Sequence, residues 1–406
     1  MSYLSHVLPN GLRIVHLPTD SPVSYCGYAI NAGTRDESTD EFGLAHFVEH
    51  MLFKGTRKRK SWHILNRMEN VGGELNAYTT KEETFVYSIF MEEHYSRAFE
   101  LMTDLVFGSQ FPMSEIEKEV DVILDEINSY KDSPSELIFD EFENYLFNGH
   151  SLGHNILGDE ESLLSFNSAS GQSFIQRFYV PSNMVFFSMG RKPFNKIVKL
   201  AESAFTGITF PAFSHARKAP DSIALFSSRE KMETHQTHVL IGGKSYNMYD
   251  SKRAPLYLLN NIIGGPGMNN RLNVSLREKN GLVYTVDSSI TNYTDTGLAT
   301  IYFGTDPKNT KKALALVYKE LKKLRETKLT DSQLAAAKKQ MIGQLSVSGD
   351  NKEGLFLGLG KSYLHHNRYD TLSEAIEKIE KITAEQLLEV GNEVFAEDNL
   401  SVLVYE

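Results

Sequence analysis

The chain has 406 residues with 41% hydrophobic content, enough to bury sizeable cores in two or three domains. Its net charge of −10 argues against nucleic acid as a main partner and mildly favours basic peptides. Cys26 is the only cysteine, which excludes an intrachain disulfide. With no apolar run near the ~18 residues of a membrane span and no leader-like pattern in Ser2-Tyr3-Leu4-Ser5-His6, a soluble cytoplasmic protein is expected.

In chain order, Gly11 to His16 reads as a strand, and Val23 to Ser38 as a strand ending in glycine and a polar loop. Leu44, Phe47, Val48, Met51 and Leu52 form an apolar stripe at helical spacing; Ser38 with Glu41 reads as its capping box and Gly55 as its stop. Lys54 to Lys60 (KGTRKRK) reads as a solvated basic loop. A second helix carries Ile116, Val120, Ile123, Leu124 and Ile127 on one face, with Ser114 and Glu117 as a capping box. Prolines, small residues and no clear period mark Thr206 to Asp221 as a linker. Beyond it, amphipathic runs from Lys311 to Leu324 and Ser373 to Ile382 alternate with short strands. His235 and His238 are three apart in an apparent strand, so they point to opposite faces and make no second metal site.

The halves echo one another. Val23–Ser38 parallels His235–Asp250, His46–Gly55 parallels Leu256–Gly265, Leu75–Phe90 parallels Ser289–Phe303, and the helix around Glu119 parallels Thr330–Leu345. The terminal strands pair as well, Ser182–Phe187 with Asp398–Leu403. The pattern is that of an internal duplication, giving an α+β fold of two domains, 1–210 and 222–406.

The strongest chemical signal is His46-Phe47-Val48-Glu49-His50, an H-x-x-E-H pattern that reads as the zinc-and-base signature of an inverted zincin. Four residues apart on a helix, His46 and His50 stand roughly 40° apart and can reach one ion. Glu49 shares that face, where a carboxylate can take a proton from water acidified by zinc and pass it to a leaving amine. A catalytic zinc needs a third protein ligand. Glu119 and Glu126, seven apart and roughly 20° off register, lie on one line of the later helix. One can bind metal while the other supports a ligand histidine or a substrate group.

The segment GLAHFVEHMLFKGT (43–56), followed by Gly72-Gly73-Glu74-Leu75-Asn76-Ala77-Tyr78-Thr79-Thr80 and then by Glu126, closely resembles the pitrilysin family of zinc peptidases. Its half-length branch, which contains the mitochondrial processing peptidases and bacterial relatives, fits best. The resemblance implies that His46, His50 and Glu126 bind one Zn2+ per chain, with Glu49 as general base and Glu119 as a supporting acid. It further implies domains built as mostly antiparallel sheets packed on helices, and a strand at Asn76 and Ala77 to whose edge a peptide adds. Phe53 and Tyr78 would line the pocket beside the scissile bond.

The downstream run Gly264 to Leu272, leading into Leu276-Arg277-Glu278-Lys279-Asn280-Gly281-Leu282-Val283-Tyr284, looks like the family segment that faces the zinc. Arg277 and Tyr284 would hold the substrate backbone and hydrogen-bond the oxyanion. In the second copy the histidine positions are Leu256 and Asn260, the base position is Leu259, and the third-ligand position is about Gln344. That copy cannot build the zinc site. The expectation is therefore a zinc endopeptidase acting on peptides or small unfolded proteins in a chamber of two chains, a homodimer without nucleic-acid or membrane partners. The alternative is a non-catalytic or partner-dependent subunit of a processing-peptidase-like heterodimer.

Overall fold

Two sheets of matching topology organise the chain; the computed structural model describes residues 2–221 and 223–406. The first sheet contains β1 (Leu4–Val7), β2 (Arg13–Pro18), β3 (Val23–Ile30), β4 (Glu74–Thr79), β5 (Thr84–Met91) and β6 (Met184–Gly190), in the order β1-β2-β6-β3-β5-β4. The second contains β7 (Ser227–Glu230), β8 (Thr237–Ser245), β9 (Val283–Asn292), β10 (Gly297–Thr305) and β11 (Ser401–Tyr405), in the order β7-β11-β8-β10-β9. Apart from the extra β1, the two orders superimpose. Each sheet has one parallel pair, β2 with β6 and β7 with β11, the other pairings being antiparallel.

The helices follow the same duplication. In the first half they are α1 (Leu44–Leu52), α2 (Ser61–Glu69), α3 (Tyr95–Gly108), α4 (Met113–Lys131), α5 (Pro134–Leu146), α6 (Glu160–Ser165), α7 (Ser168–Phe178) and α8 (Phe194–Phe205). The second half adds α9 (Arg253–Gly264), α10 (Thr310–Glu326), α11 (Asp331–Ser348), α12 (Lys352–His366), α13 (Leu372–Glu380) and α14 (Ala384–Val394). None of the described helices is long and apolar enough to cross a membrane.

The compact units are not the contiguous domains expected. One comprises Met1–Asn128, His154–Arg217 and Gly349–Thr371; the other Ser129–Gly153, Lys218–Ser348 and Leu372–Glu406. Residues 1 and 222, where the expected domains begin, lie outside the described residues. The reason for the difference is an exchange of equivalent helices. On one face of the first sheet, Cys26, Tyr28 and Phe186 pack against α1 and α3. The other face, with Val15, Ala29 and Phe187, is covered by Phe356 and Leu359 of α12. In the second unit Val239 and Ile241 pack against α9, α10 and α14, and Leu240, Leu403 and Tyr405 are covered by Ile138, Phe142 and Leu146 of α5. Each sheet is thus buried on both faces, which its near-continuous apolar central strands require.

The seat of α12 is specified in detail. Phe356 stacks on Phe187 with centroids 4.3 Å apart, and a Cβ on Gly360 would come within 2.7 Å of the Phe187 ring. At the helix C-terminus Arg13 Nη1 donates to the carbonyls of Tyr363 and Leu364 at 3.3 and 3.0 Å, a cation placed where the helix dipole favours one. The expected linker is also anchored. His215 and Arg217 both hydrogen-bond Asp36, at 3.0 and 2.8–2.9 Å, so part of that segment is a strap of the first unit.

Candidate metal centre

α1 and α4 bring the sequence-derived ligands together. α1 begins at Leu44, after Gly43 in the left-handed region (φ 90), where only glycine sits without strain. The Ser38–Glu41 pair does form, Ser38 N donating to Glu41 Oε2 at 3.1 Å, but it closes a turn upstream of the helix. The orphan N–H groups of α1 are met instead by the buried carboxylate of Glu37, which accepts from Gly43 at 2.9 Å and Ala45 at 2.7 Å. Likewise α4 starts at Met113, so Ser114 lies inside its first turn, and Pro112 O accepts from Glu115 and Ile116.

Seven residues of α1, including Phe47, Val48, Met51 and Leu52, are buried, which fixes the rotation of the helix about its axis. That rotation turns His46, Glu49 and His50 toward α4. One donor atom from each of His46, His50 and Glu126 falls within 4.8 Å of the others. Glu126 Oε2 stands 3.8 Å from His46 Nε2 and 3.5 Å from His50 Nε2. Ligands about 2.0–2.2 Å from a tetrahedral zinc stand about 3.3–3.5 Å apart, so the two Glu126 distances are close to those such an ion requires. Counting Glu49, Glu119 and Glu126 against Lys54, the site carries two negative charges when its histidines are neutral, the complement of a divalent cation.

Glu119 is the second carboxylate of the α4 line, and it meets the other nitrogen: its Oε1 accepts from His50 Nδ1 at 2.8 Å, directing Nε2 toward Glu126. Glu119 also pairs with Lys54. Lys54 was expected in a solvated loop; it stands two residues past the end of α1, and its ammonium reaches back to Glu119. Arg59 is not free in solvent either, binding Asp104 at 2.5 Å and Glu100 at 2.7 Å. His46 Nδ1, by contrast, is buried with no hydrogen-bond partner among the described residues.

The electrostatics follow from burial and these neighbours. Burial and the adjacent His50 push His46 down to about 4, with Glu126 opposing. Burial works against a charge on His50, but Glu119, Glu126 and Glu49 outweigh it and hold its pKa at about 9. Burial raises the Glu49 carboxyl above its ordinary value, against the influence of Thr79 and His50. For Glu119 the burial penalty is overcome by His50 and Lys54, so its pKa is lowered; Glu126 is lowered chiefly by His50.

A pH dependence of metal binding results. Below about pH 9 zinc must displace a proton from His50, whereas His46, at about 4, offers none to displace near neutrality. Zinc affinity should therefore rise about tenfold per pH unit between about pH 6 and 8, measured by chelator competition corrected for the chelator's own protonation. A flat profile would contradict the charge state assigned to His50.

The remaining predicted residues divide. β4, carrying Asn76 and Ala77, is the terminal strand of its sheet and among the described residues pairs only with β5. Ala77 packs with the cluster that contains α1. Tyr78 stacks on Phe85 at 4.9 Å and packs with the α12 side of the sheet, so its ring is turned away from His46 and His50; Asn76, by strand alternation, shares its face. Phe53 caps the C-terminus of α1 and rests on the same core. Arg277 and Tyr284 lie in the second unit, both exposed, Tyr284 at 75%. In the second copy Leu256 and Leu259 are buried in the core, and Asn260 is bound to Ser288.

Residues 14–160 match the family model described as insulinase (peptidase family M16), and residues 165–341 match the one described as peptidase M16 inactive domain. An "uncharacterized zinc protease YmxG" from Bacillus subtilis is 32% identical over 97% of this chain and 96% of that protein. Another uncharacterized zinc protease, from Rickettsia felis, is 31% identical over 98% and 96%. Among solved structures, a peptidase M16 inactive domain from Pseudomonas fluorescens aligns with TM-score 0.92 at 19% identity, covering 100% of this chain and 98% of that one. A protease from Helicobacter pylori aligns with TM-score 0.90 at 20% identity, covering 100% and 99%. The folds agree throughout, the relatives match nearly end to end, and the chain belongs to peptidase family M16, in its half-length form.

Proposed function

We propose that the chain is a zinc-dependent endopeptidase that cleaves peptides or small unfolded proteins, with one zinc per chain held by His46, His50 and Glu126. The observation that carries the reading is the convergence of those three donors within 4.8 Å beside Glu49 on the same helix face. Bound zinc would supply the positive charge that makes water acidic near neutral pH. Glu49 takes that proton and delivers it to the leaving amine, a double task helped by the upward pressure of burial on its pKa. Glu119 holds the His50 ring, and Lys54 holds Glu119.

β4 offers the unpaired backbone groups of a sheet edge, to which an extended peptide can add regardless of its sequence. Such a mode admits unfolded segments and rejects folded ones, because only the former expose a free strand. Arg277 and Tyr284 provide a fixed cation and a phenolic donor for the substrate backbone and the oxyanion. In this reading two copies enclose the substrate, each supplying Arg277 and Tyr284 to the other.

Mixing Glu49→Gln chains with Tyr284→Phe chains should then restore part of the activity that either variant alone lacks; no recovery would contradict shared sites. Light scattering should find a dimer whose cleavage of a fluorogenic peptide is abolished by a chelator. A monomer inert toward every peptide would overturn the homodimer and identify a non-catalytic or partner-dependent subunit.

A further inference from the structure

A polar cleft of about 260 Å3 opens in the first unit among Lys58, Arg59, Trp62, His63, Arg67 and Arg97. On a chain of net charge −10 this is a local concentration of cations that the peptidase reading does not use. Glu100 serves three of them, at 2.7 Å from Arg59, 3.3 Å from Arg67 and 3.9 Å from Lys58, and Asp104 serves Arg59 again. Four cations thus face two carboxylates. Arg97 has no acidic partner among the described residues, and the Nε atoms of both Arg67 and Arg97 are buried without an acceptor.

Beside these charges stands the only tryptophan of the chain. Trp62 is 59% exposed, its ring stacked on His63 with centroids 3.7 Å apart and planes 29° from parallel. An exposed indole beside an excess of cations over carboxylates, with Arg97 lacking an acidic partner among the described residues, has the two features that bind a planar ring carrying an anion. Arginine forks match phosphate oxygens, and an aromatic face stacks any base.

We propose that this cleft binds a nucleotide, the phosphates on Arg97, Arg67 and Lys58 and the base against Trp62. The site goes beyond the peptidase reading and stands or falls apart from it.

Because Trp62 is the sole indole, its emission reports this cleft alone. Titrating the zinc-loaded protein with ADP should give saturable quenching. Inorganic diphosphate should displace ADP, and adenosine should bind more weakly than ADP. Arg97→Gln should weaken ADP about tenfold or more with zinc content and peptide cleavage unchanged. Trp62→Ala, read by calorimetry, should lose about 5- to 150-fold for ADP while its affinity for diphosphate holds. Absence of quenching up to about 1 mM ADP, or equal ADP affinity in Arg97→Gln, would overturn the site. Equal loss of ADP and diphosphate in Trp62→Ala, or displacement of neither by the other, would overturn the assignment of the base to Trp62. Capture of a glutamate-rich peptide without any response to ADP would overturn the nucleotide in favour of an acidic polypeptide.

Discussion

Replacing Glu49 with glutamine is expected to lower kcat against an internally quenched peptide about 10²–10⁴-fold while zinc content remains that of the native chain. The substitution keeps the shape of the side chain and removes only its capacity to take and return a proton. Glu49 is not among the three groups whose donors converge, so metal should stay. If substrate is held through the backbone of β4 as proposed, KM should change little, because backbone pairing does not use this carboxylate. Activity within a few fold of native would remove Glu49 from the chemistry, and parallel loss of zinc would make it a ligand instead.

Glu119→Gln is expected to act through the metal. The Glu119 carboxylate accepts from His50 Nδ1 at 2.8 Å and pairs with Lys54. An amide oxygen can still accept from His50 Nδ1, but the negative charge that makes the His50 ring a stronger donor to the metal is gone, and the Lys54 ion pair goes with it. Zinc affinity should fall about 10–100-fold, read by chelator competition, and much of kcat should return when zinc is saturating. Recovery at high zinc separates this variant from Glu49→Gln, which excess metal cannot rescue. Unchanged affinity would reduce Glu119 to a partner of Lys54 alone.

The elements that carry these residues were legible in sequence to different depths. A helix with two histidines and a glutamate on one face follows from spacing alone, because 3.6 residues per turn fixes angular position. The same geometry left Glu119 and Glu126 equivalent, since periodicity gives the face of a helix but not the depth at which a neighbouring helix crosses it. That depth is set by tertiary packing, with Ile116, Ile123 and Ile127 of α4 buried. The duplication was readable strand by strand, and the two sheet orders repeat it. The exchange of α5 and α12 was not, because an apolar face does not say which of two similar sheets it will cover.

One local misreading is instructive. Ser38 and Glu41 have the spacing of a capping box, and they bond to one another, yet the chain turns again at Gly43 before the helix begins, so Glu37 becomes its cap. Ala77 and Tyr78 are adjacent in β4 and therefore face opposite sides of its sheet, Ala77 toward the side of α1 and Tyr78 stacked on Phe85.

The central claim is that a carboxylate from α4 completes a zinc site begun by α1. Elemental analysis of the purified native chain beside Glu126→Gln tests it most directly. The account predicts one zinc per native chain and little or none in the variant, with both chains folded by circular dichroism. Equal zinc in the two, or a native chain that takes up none when supplied with Zn2+, would contradict it.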